Sequence, residues 1–190
     1  MTAGPWSCPA TPSRRRTWLA GRAVFGRAET ANSFLRLLGK AGQFEDARRI
    51  LEEEKDWVAL NFTSPAEPAA AYALDKRQMS PTTRRALYLL LLAQGEVELA
   101  AGEFEKSADG FAAAAAIYEG KVEDYSDTSR LLRAMFNQAN SLLRLKRIKE
   151  ALDIYELCKY GFNSIGDTES AQRVDHAIVF AKTVADDNES

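Results

Sequence analysis

The chain has 190 residues, 46% hydrophobic and 27% charged, with a formal net charge of −2 at pH 7. That length suits one domain with a genuine core, and the near-neutral charge argues against a body that grips nucleic acid through its phosphates. The longest apolar run is the eight residues 86–93, far short of the roughly 20 that a membrane-spanning helix needs.

Residues 1–28 carry five arginines (Arg14, Arg15, Arg16, Arg22, Arg27) and no acid, so of 25 basic residues 20 remain against 27 acidic ones, a net of −7. A basic leader thus precedes an acidic body. Pro5, Pro9 and Pro12 break any early helix, and the expectation is a disordered tail through residue 28. Its arginines and its Ser/Thr content resemble an organellar transit peptide. Arg15-Arg16 resembles a twin-arginine export signal, although Arg22 and Arg27 interrupt the apolar stretch such a signal requires. A plain unstructured N-terminus fits as well. The expected location is the cytoplasm, with the mitochondrion or another organelle as the alternative.

From Glu29 onward helices are expected one after another. The first spans 29–40, with Phe34, Leu35, Leu37 and Leu38 at helical spacing. Ala41-Gly42 makes the turn. The second spans 44–59, where Glu45 and Asp46 suit the positive end of the helix. Residues 61–68, with Pro65 and Pro68, read as a loop, and a short helix is expected over 67–78. Ser80-Pro81 reads as an N-cap followed by a first-turn proline. The third helix follows it to residue 101, apolar on nearly every side over 87–92, as a helix buried between neighbours would be. After Gly102 the fourth spans 104–118 and the fifth 128–145, capped by Asp127. Lys146-Arg147 is the next turn. The sixth spans 148–162, and after Gly166-Asp167 the seventh spans 168–186, leaving 187–190 as a disordered tail. No period of two persists, so no sheet is expected.

Three segments share one pattern across a turn. They are Leu35…Gly42-Gln43-Phe44…Ala47…Leu51, Gly95…Gly102-Glu103-Phe104…Ser107…Phe111, and Ala139…Lys146-Arg147-Ile148…Ala151…Tyr155. A small residue on each helix lets the two backbones approach, and large residues fill the gap to the next hairpin. Leu35 departs from the small residue. A single hairpin cannot bury its apolar face, so several must stack.

This pattern resembles the tetratricopeptide repeat family, most closely over 134–155. Phe44 to Phe104 is 60 residues and Phe104 to Ile148 is 44, against a family period of about 34; the second spacing resembles long-period bacterial regulatory and scaffold members. The resemblance implies an all-α fold over 29–186, a stack of antiparallel hairpins with about seven helices. It also implies binding of a peptide or partner helix in a groove rather than catalysis. Residues 31–42 also resemble a pentatricopeptide repeat, an RNA-binding relative, which keeps an RNA-reading protein as one alternative. A structural subunit of a larger assembly is another.

The residues offer little for chemistry. Cys8 and Cys158 lie far apart and form neither a disulfide framework nor a metal-ligand spacing, which fits a reducing compartment. The sole histidine, His176, has no nucleophile motif to serve. Gly21…Gly26 has the outer glycines of a phosphate loop but lacks the Lys-Ser/Thr that reaches phosphate. Glu52-Glu53-Glu54 reads as a solvated face, and Asn61-Phe62-Thr63 and Asn188-Glu189-Ser190 are glycosylation triplets without a secretory signal. No cofactor or metal is expected. One constellation stands out: Arg133, Asn137, Asn140 and Arg144 share one helix face. The corresponding family positions line the concave groove. Asn can grip a peptide backbone and Arg a carboxylate, so these four are the expected peptide-binding residues, with Asn32 and Arg36 as distant members. An ordinary solvated face has the same spacing. The sequence specifies neither the partner nor the oligomeric state.

Overall fold

The computed structural model describes residues 12–62, 79–120 and 122–189. They form seven helices: α1 Pro12–Lys40, α2 Phe44–Phe62, α3 Pro81–Ala100, α4 Phe104–Ala116, α5 Tyr125–Arg144, α6 Ile148–Ser164 and α7 Thr168–Glu189. No strand occurs among the described residues. The fold is all-α, as its 3.6-residue periodicity requires. The loop expected over 61–68 is helical at its first two residues, where α2 runs on to Phe62; the rest of it, and the short helix expected over 67–78, lie outside the described residues.

Four of the connections are the same turn. Gly42, Gly102, Lys146 and Gly166 take φ of 74°, 78°, 61° and 75°. In each, the following amide reaches back five residues: Gln43 to Leu38, Glu103 to Glu98, Arg147 to Leu142 and Asp167 to Phe162, at 2.9–3.0 Å. This Schellman closure satisfies the last carbonyls of one helix and aims the chain back along it. Ser80 caps α3 by accepting from the Thr83 amide at 3.1 Å, with Pro81 in the first turn. Asp167 caps α7 by accepting from the Ser170 amide at 3.0 Å. The cap of α5 is Asp124, which accepts from the Asp127 amide at 2.8 Å, so this helix starts a turn earlier than expected.

The small residues sit at the crossings. A Cβ on Gly110 would stand 2.9 Å from the Gly95 backbone nitrogen, and one on Gly95 would stand 2.6 Å from the Phe111 ring. Ser107 is fully buried there; its hydroxyl donates to the Gly95 carbonyl at 2.9 Å and meets the Ser141 hydroxyl of α5 at 2.9 Å. Ala139 and Ala151 are fully buried in the next hairpin. In the first hairpin, the bulk of Leu35 stands where the others have Gly or Ala. There α1 packs more extensively on α3 than on its own partner α2.

Along the chain α3 packs on α1, α2 and α4, and α4, α5 and α6 each pack on the next, ending at α7. The buried apolar residues form three adjoining clusters. One joins α1, α2 and α3 around Leu35, Leu51 and Leu90. A middle one holds Tyr88, Phe111 and Tyr118. The third joins α5, α6 and α7 around Tyr155, Cys158 and Val174. Burial shared between neighbouring helices is what a stack of hairpins provides.

Both ends differ from expectation. The helix expected to begin at Glu29 begins at Pro12, so 12–28 is not a structureless leader; residues 1–11 lie outside the described residues. Pro12 opens the helix instead of breaking it, since the first helical residue has no amide to donate. Ala28 is buried against the first cluster. The Arg27 guanidinium holds Glu54 with two bonds of 2.7 and 2.8 Å and lies 4.2 Å from the Trp57 ring. At Arg27 charge pairing and stacking on an aromatic ring hold the helix to α2, contacts that leave no apolar period in the sequence. At the other end α7 continues to Glu189 rather than fraying at residue 186.

Candidate functional site

Helix α5 commits one face to the core, with Leu132, Ala134, Ala139, Ser141 and Leu142 buried. Arg133 and Asn137 stand off that face. They line a recess of about 400 Å³ whose other walls come from α3, α6 and α7: Glu96, Phe162, Ser170, Arg173 and Val174. Phe136, also in the lining, lies tilted against the buried Tyr155 ring with centroids 5.6 Å apart, so the core packs behind it. Among the described residues, neither Arg133 nor Asn137 has a side-chain hydrogen bond or ion pair.

The four expected binding residues are therefore not one unit. Arg133 and Asn137 share the recess. Asn140 is taken by the hairpin, because its Oδ1 accepts from the Tyr155 hydroxyl at 2.7 Å. Arg144 is exposed in the last turn of α5, apart from the recess lining. A tyrosine fifteen residues away in the next helix competes for Asn140, which helical spacing alone does not reveal.

Glu96 ties this recess to a second. It also lines a hollow of about 210 Å³ with Arg36, Gly39, Lys40, Val97 and Ala100. Its Oε2 lies 2.8 Å from the Arg36 Nε. That approach is an ion pair by distance but falls outside hydrogen-bond geometry, and the oxygen is left without a hydrogen bond; the Coulomb attraction survives the misalignment. Burial pushes the Glu96 carboxyl above its ordinary range, while Arg36, Arg133 and Lys40 pull it back. Arg36 of the first hairpin thus lines a hollow that shares Glu96 with the recess. Asn32, its expected companion, has its Oδ1 buried without a partner.

Glu96, Ser170 and Arg173 are the residues that sequence reasoning passed over. Glu96 carried a signal: a carboxylate inside the otherwise apolar third helix needs a reason to be there. Ser170 and Arg173 lie on the last helix, outside the repeat pattern, and gave none. Arg173 also pairs with Glu169 one turn earlier.

Other polar features are structural. His176 is exposed, and the neighbouring Asp175 pairs with Lys159 at 2.6 Å. The glutamate run is engaged in ion pairs: Glu52 with Lys55, Glu53 with Arg49 and Glu54 with Arg27. Cys158 is buried, its thiol donates to the Leu132 carbonyl at 3.6 Å, and burial pushes its pKa up to about 12. Among the described residues no group of His, Cys, Asp and Glu is placed to hold a metal, and no helix is long and apolar enough to cross a membrane. Comparison with family models, curated proteins and solved structures returns no match to this chain.

Proposed function

We propose that the chain is a tetratricopeptide-like interaction scaffold, binding rather than catalysing, and that it holds an acidic, extended segment of another protein across α3, α5 and α7. The observation that carries this reading is the recess at Arg133. Among the described residues its guanidinium and the Asn137 amide make no side-chain hydrogen bond or ion pair, and they stand beside Phe136, Phe162 and Val174, with the Glu96 carboxylate in the same lining. Lys40 and Arg36 continue the positive charge into the adjoining hollow. Cations collect on this face while the chain from residue 29 carries a net of −7.

Each element has a role in such a complex. Asn137 offers donor and acceptor to a peptide backbone whatever its sequence. Arg133 can form two parallel bonds to one carboxylate. The aromatic floor takes an aliphatic side chain beside that carboxylate. The expected ligand therefore alternates acidic and aliphatic residues.

The test is selection from a library of random short peptides by the purified chain, followed by titration of the selected peptides. Selected sequences should be rich in Asp and Glu next to aliphatic residues. The double change Arg133→Ala with Asn137→Ala should weaken them by more than about tenfold, because losing one hydrogen bond to a charged group costs about 1.5–3 kcal/mol. Selection of basic peptides, or unchanged affinity in a folded double variant, would refute the reading.

A further inference from the structure

Among the described residues Glu96 is the one acid in the lining of the Arg133 recess, and it lines the adjoining hollow as well. Cations face it from two neighbouring helices: Arg36 and Lys40 from α1, and Arg133 from α5. Helix α7 adds Arg173 to the recess, already paired with Glu169. No described residue of α2 or α4 lines either hollow, and Arg48 of α2 is held instead by Glu98, at 2.6 and 2.9 Å. Tyr88, on α3 itself, is pushed up to about 12 by burial and stays neutral wherever a carboxylate titrates.

Glu96 is nevertheless loosely held. Its Oε2 is buried and accepts no hydrogen bond, because the Arg36 Nε at 2.8 Å is misaligned. A buried carboxylate without hydrogen bonds stays ionised only through the cations around it. An anion docking on Arg133 disturbs that balance twice. It draws off one of the three cations, and it adds a like charge within the same lining. Both effects favour a proton on Glu96. The converse holds equally: a protonated Glu96 leaves Arg133, Arg36 and Lys40 with no internal counter-charge in the two hollows. Thermodynamic linkage makes these two effects one quantity.

We propose that anion capture in the recess is proton-linked through Glu96: an acidic ligand binds at Arg133 together with a proton on Glu96, and the ionised Glu96 weakens its hold. The proposal rests on the reading of the recess as a site for acidic segments and adds a pH control to it. The bound state has the higher proton affinity at Glu96. Affinity for the ligand is therefore lowest above the range in which Glu96 titrates and highest below it. Burial already raises that range in the free chain, which moves the transition from strong acid towards mildly acidic pH. Linkage between two sites is typically about 5–150-fold, so binding should tighten by about fivefold or more from about pH 7.5 to about pH 5.

The probe is a tripeptide of cysteic acid between two leucines, acetylated and amidated at its ends. Its sulfonate keeps one negative charge throughout, so any pH dependence belongs to the protein. Binding to the full chain is followed by the side-chain amide resonance of Asn137, at constant ionic strength. The affinity should rise in acid as stated. Measured from the other side, the Glu96 carboxyl carbon should titrate at a higher pH with the probe saturating than without it, a comparison that needs no variant. Glu96→Gln carries the neutral form permanently; it should bind near neutrality about as tightly as the unaltered chain does in acid, and lose the pH dependence. Equal affinity at both pH values, with Glu96 titrating unchanged, overturns the proton link and leaves the anion site standing. A Glu96→Gln chain that keeps the full pH dependence also overturns it, and assigns the effect to another group such as the exposed His176. A probe that leaves the Asn137 amide unmoved at every pH removes the anion site itself, and the proposed function falls with this inference.

Discussion

Gly110→Ala and Gly39→Ala are the same chemical change at two helix crossings, and the structure assigns them opposite signs. A Cβ on Gly110 would lie 2.9 Å from the Gly95 nitrogen and 3.0 Å from the Gly95 Cα. Those are backbone atoms of α3, so no side chain can step aside; α3 and α4 must part by a few tenths of an ångström and loosen the buried hydrogen bond from the Ser107 hydroxyl to the Gly95 carbonyl between them. Overpacking of this kind costs about 1–3 kcal/mol, offset by about 0.5–1 kcal/mol from the better helix propensity of Ala. From the middle of both ranges the net loss is about 1 kcal/mol, or about 2–4 °C in melting temperature for a chain of this size. At Gly39 the nearest atoms to a Cβ are Val97 Cγ2 at 3.6 Å and Val97 Cα at 3.7 Å, ordinary contact. There the propensity gain stands alone, and Gly39→Ala should raise the melting temperature by about 1–4 °C. Thermal unfolding followed by circular dichroism, with urea titration as a second measure, decides the matter. A Gly110→Ala chain as stable as the unaltered one would refute the close crossing of α3 and α4.

Three further expectations follow from individual contacts. The Glu96 carboxyl is raised by burial, so in this region the native state holds its proton more tightly than the unfolded chain does. Its burden on stability is absent below the ordinary carboxylate range and grows as pH rises through and above it. Glu96→Gln should therefore leave the melt unchanged in acid and raise it near neutrality; a neutral-pH loss in Glu96→Gln would show that its pairing with Arg36 outweighs its desolvation. Cys158, with its thiol pushed up to about 12, should resist alkylation until the chain unfolds, so the Cys8→Ser variant should show no fast-reacting thiol at mildly alkaline pH. Removing residues 1–28 takes away Ala28 and the Arg27 contacts with Glu54 and Trp57, and should lower the melting temperature; an unchanged melt would return those residues to the status of a tail.

What the sequence made legible is what local periodicity and turn chemistry control. The third helix is buried among three neighbours because its apolar residues allow no other placement, and Ser80-Pro81 starts it because that dipeptide caps and opens a helix without competition. The close crossing at Gly95 followed from a small residue on each side of a turn. What the sequence did not reveal shares a different cause. Arg27 belongs to the body through a carboxylate 27 residues away, and Asn140 is taken by Tyr155. Both are long-range polar pairings, and they leave no local signature because either partner alone looks like a solvated side chain. The same limit governs the recess: Arg133 and Asn137 could be placed on one face from spacing, but Ser170 and Arg173 join them only because α7 folds back over α6.

Lys146 is the exception among the four repeated turns, and it isolates a backbone cost. Gly42, Gly102 and Gly166 hold positive φ with no Cβ to clash, whereas Lys146 holds φ 61° as an L-residue. The left-handed region costs such a residue about 1–2 kcal/mol. Lys146→Gly removes that cost but adds about 0.4–1 kcal/mol of chain freedom to the unfolded state. The expected net gain is about 0.5–1 kcal/mol, seen as a rise of about 1–4 °C in melting temperature. Lys146 is exposed, so no buried contact is lost. The reciprocal change, Gly102→Ala, meets nothing within 4 Å at φ 78°, so any destabilisation it causes comes from the backbone conformation and should be about 1 kcal/mol. If Lys146→Gly lowers stability, or Gly102→Ala leaves it unchanged, then the left-handed turns do not set the hairpin geometry, and the stacking of side chains across α3–α4 and α5–α6 must hold it instead.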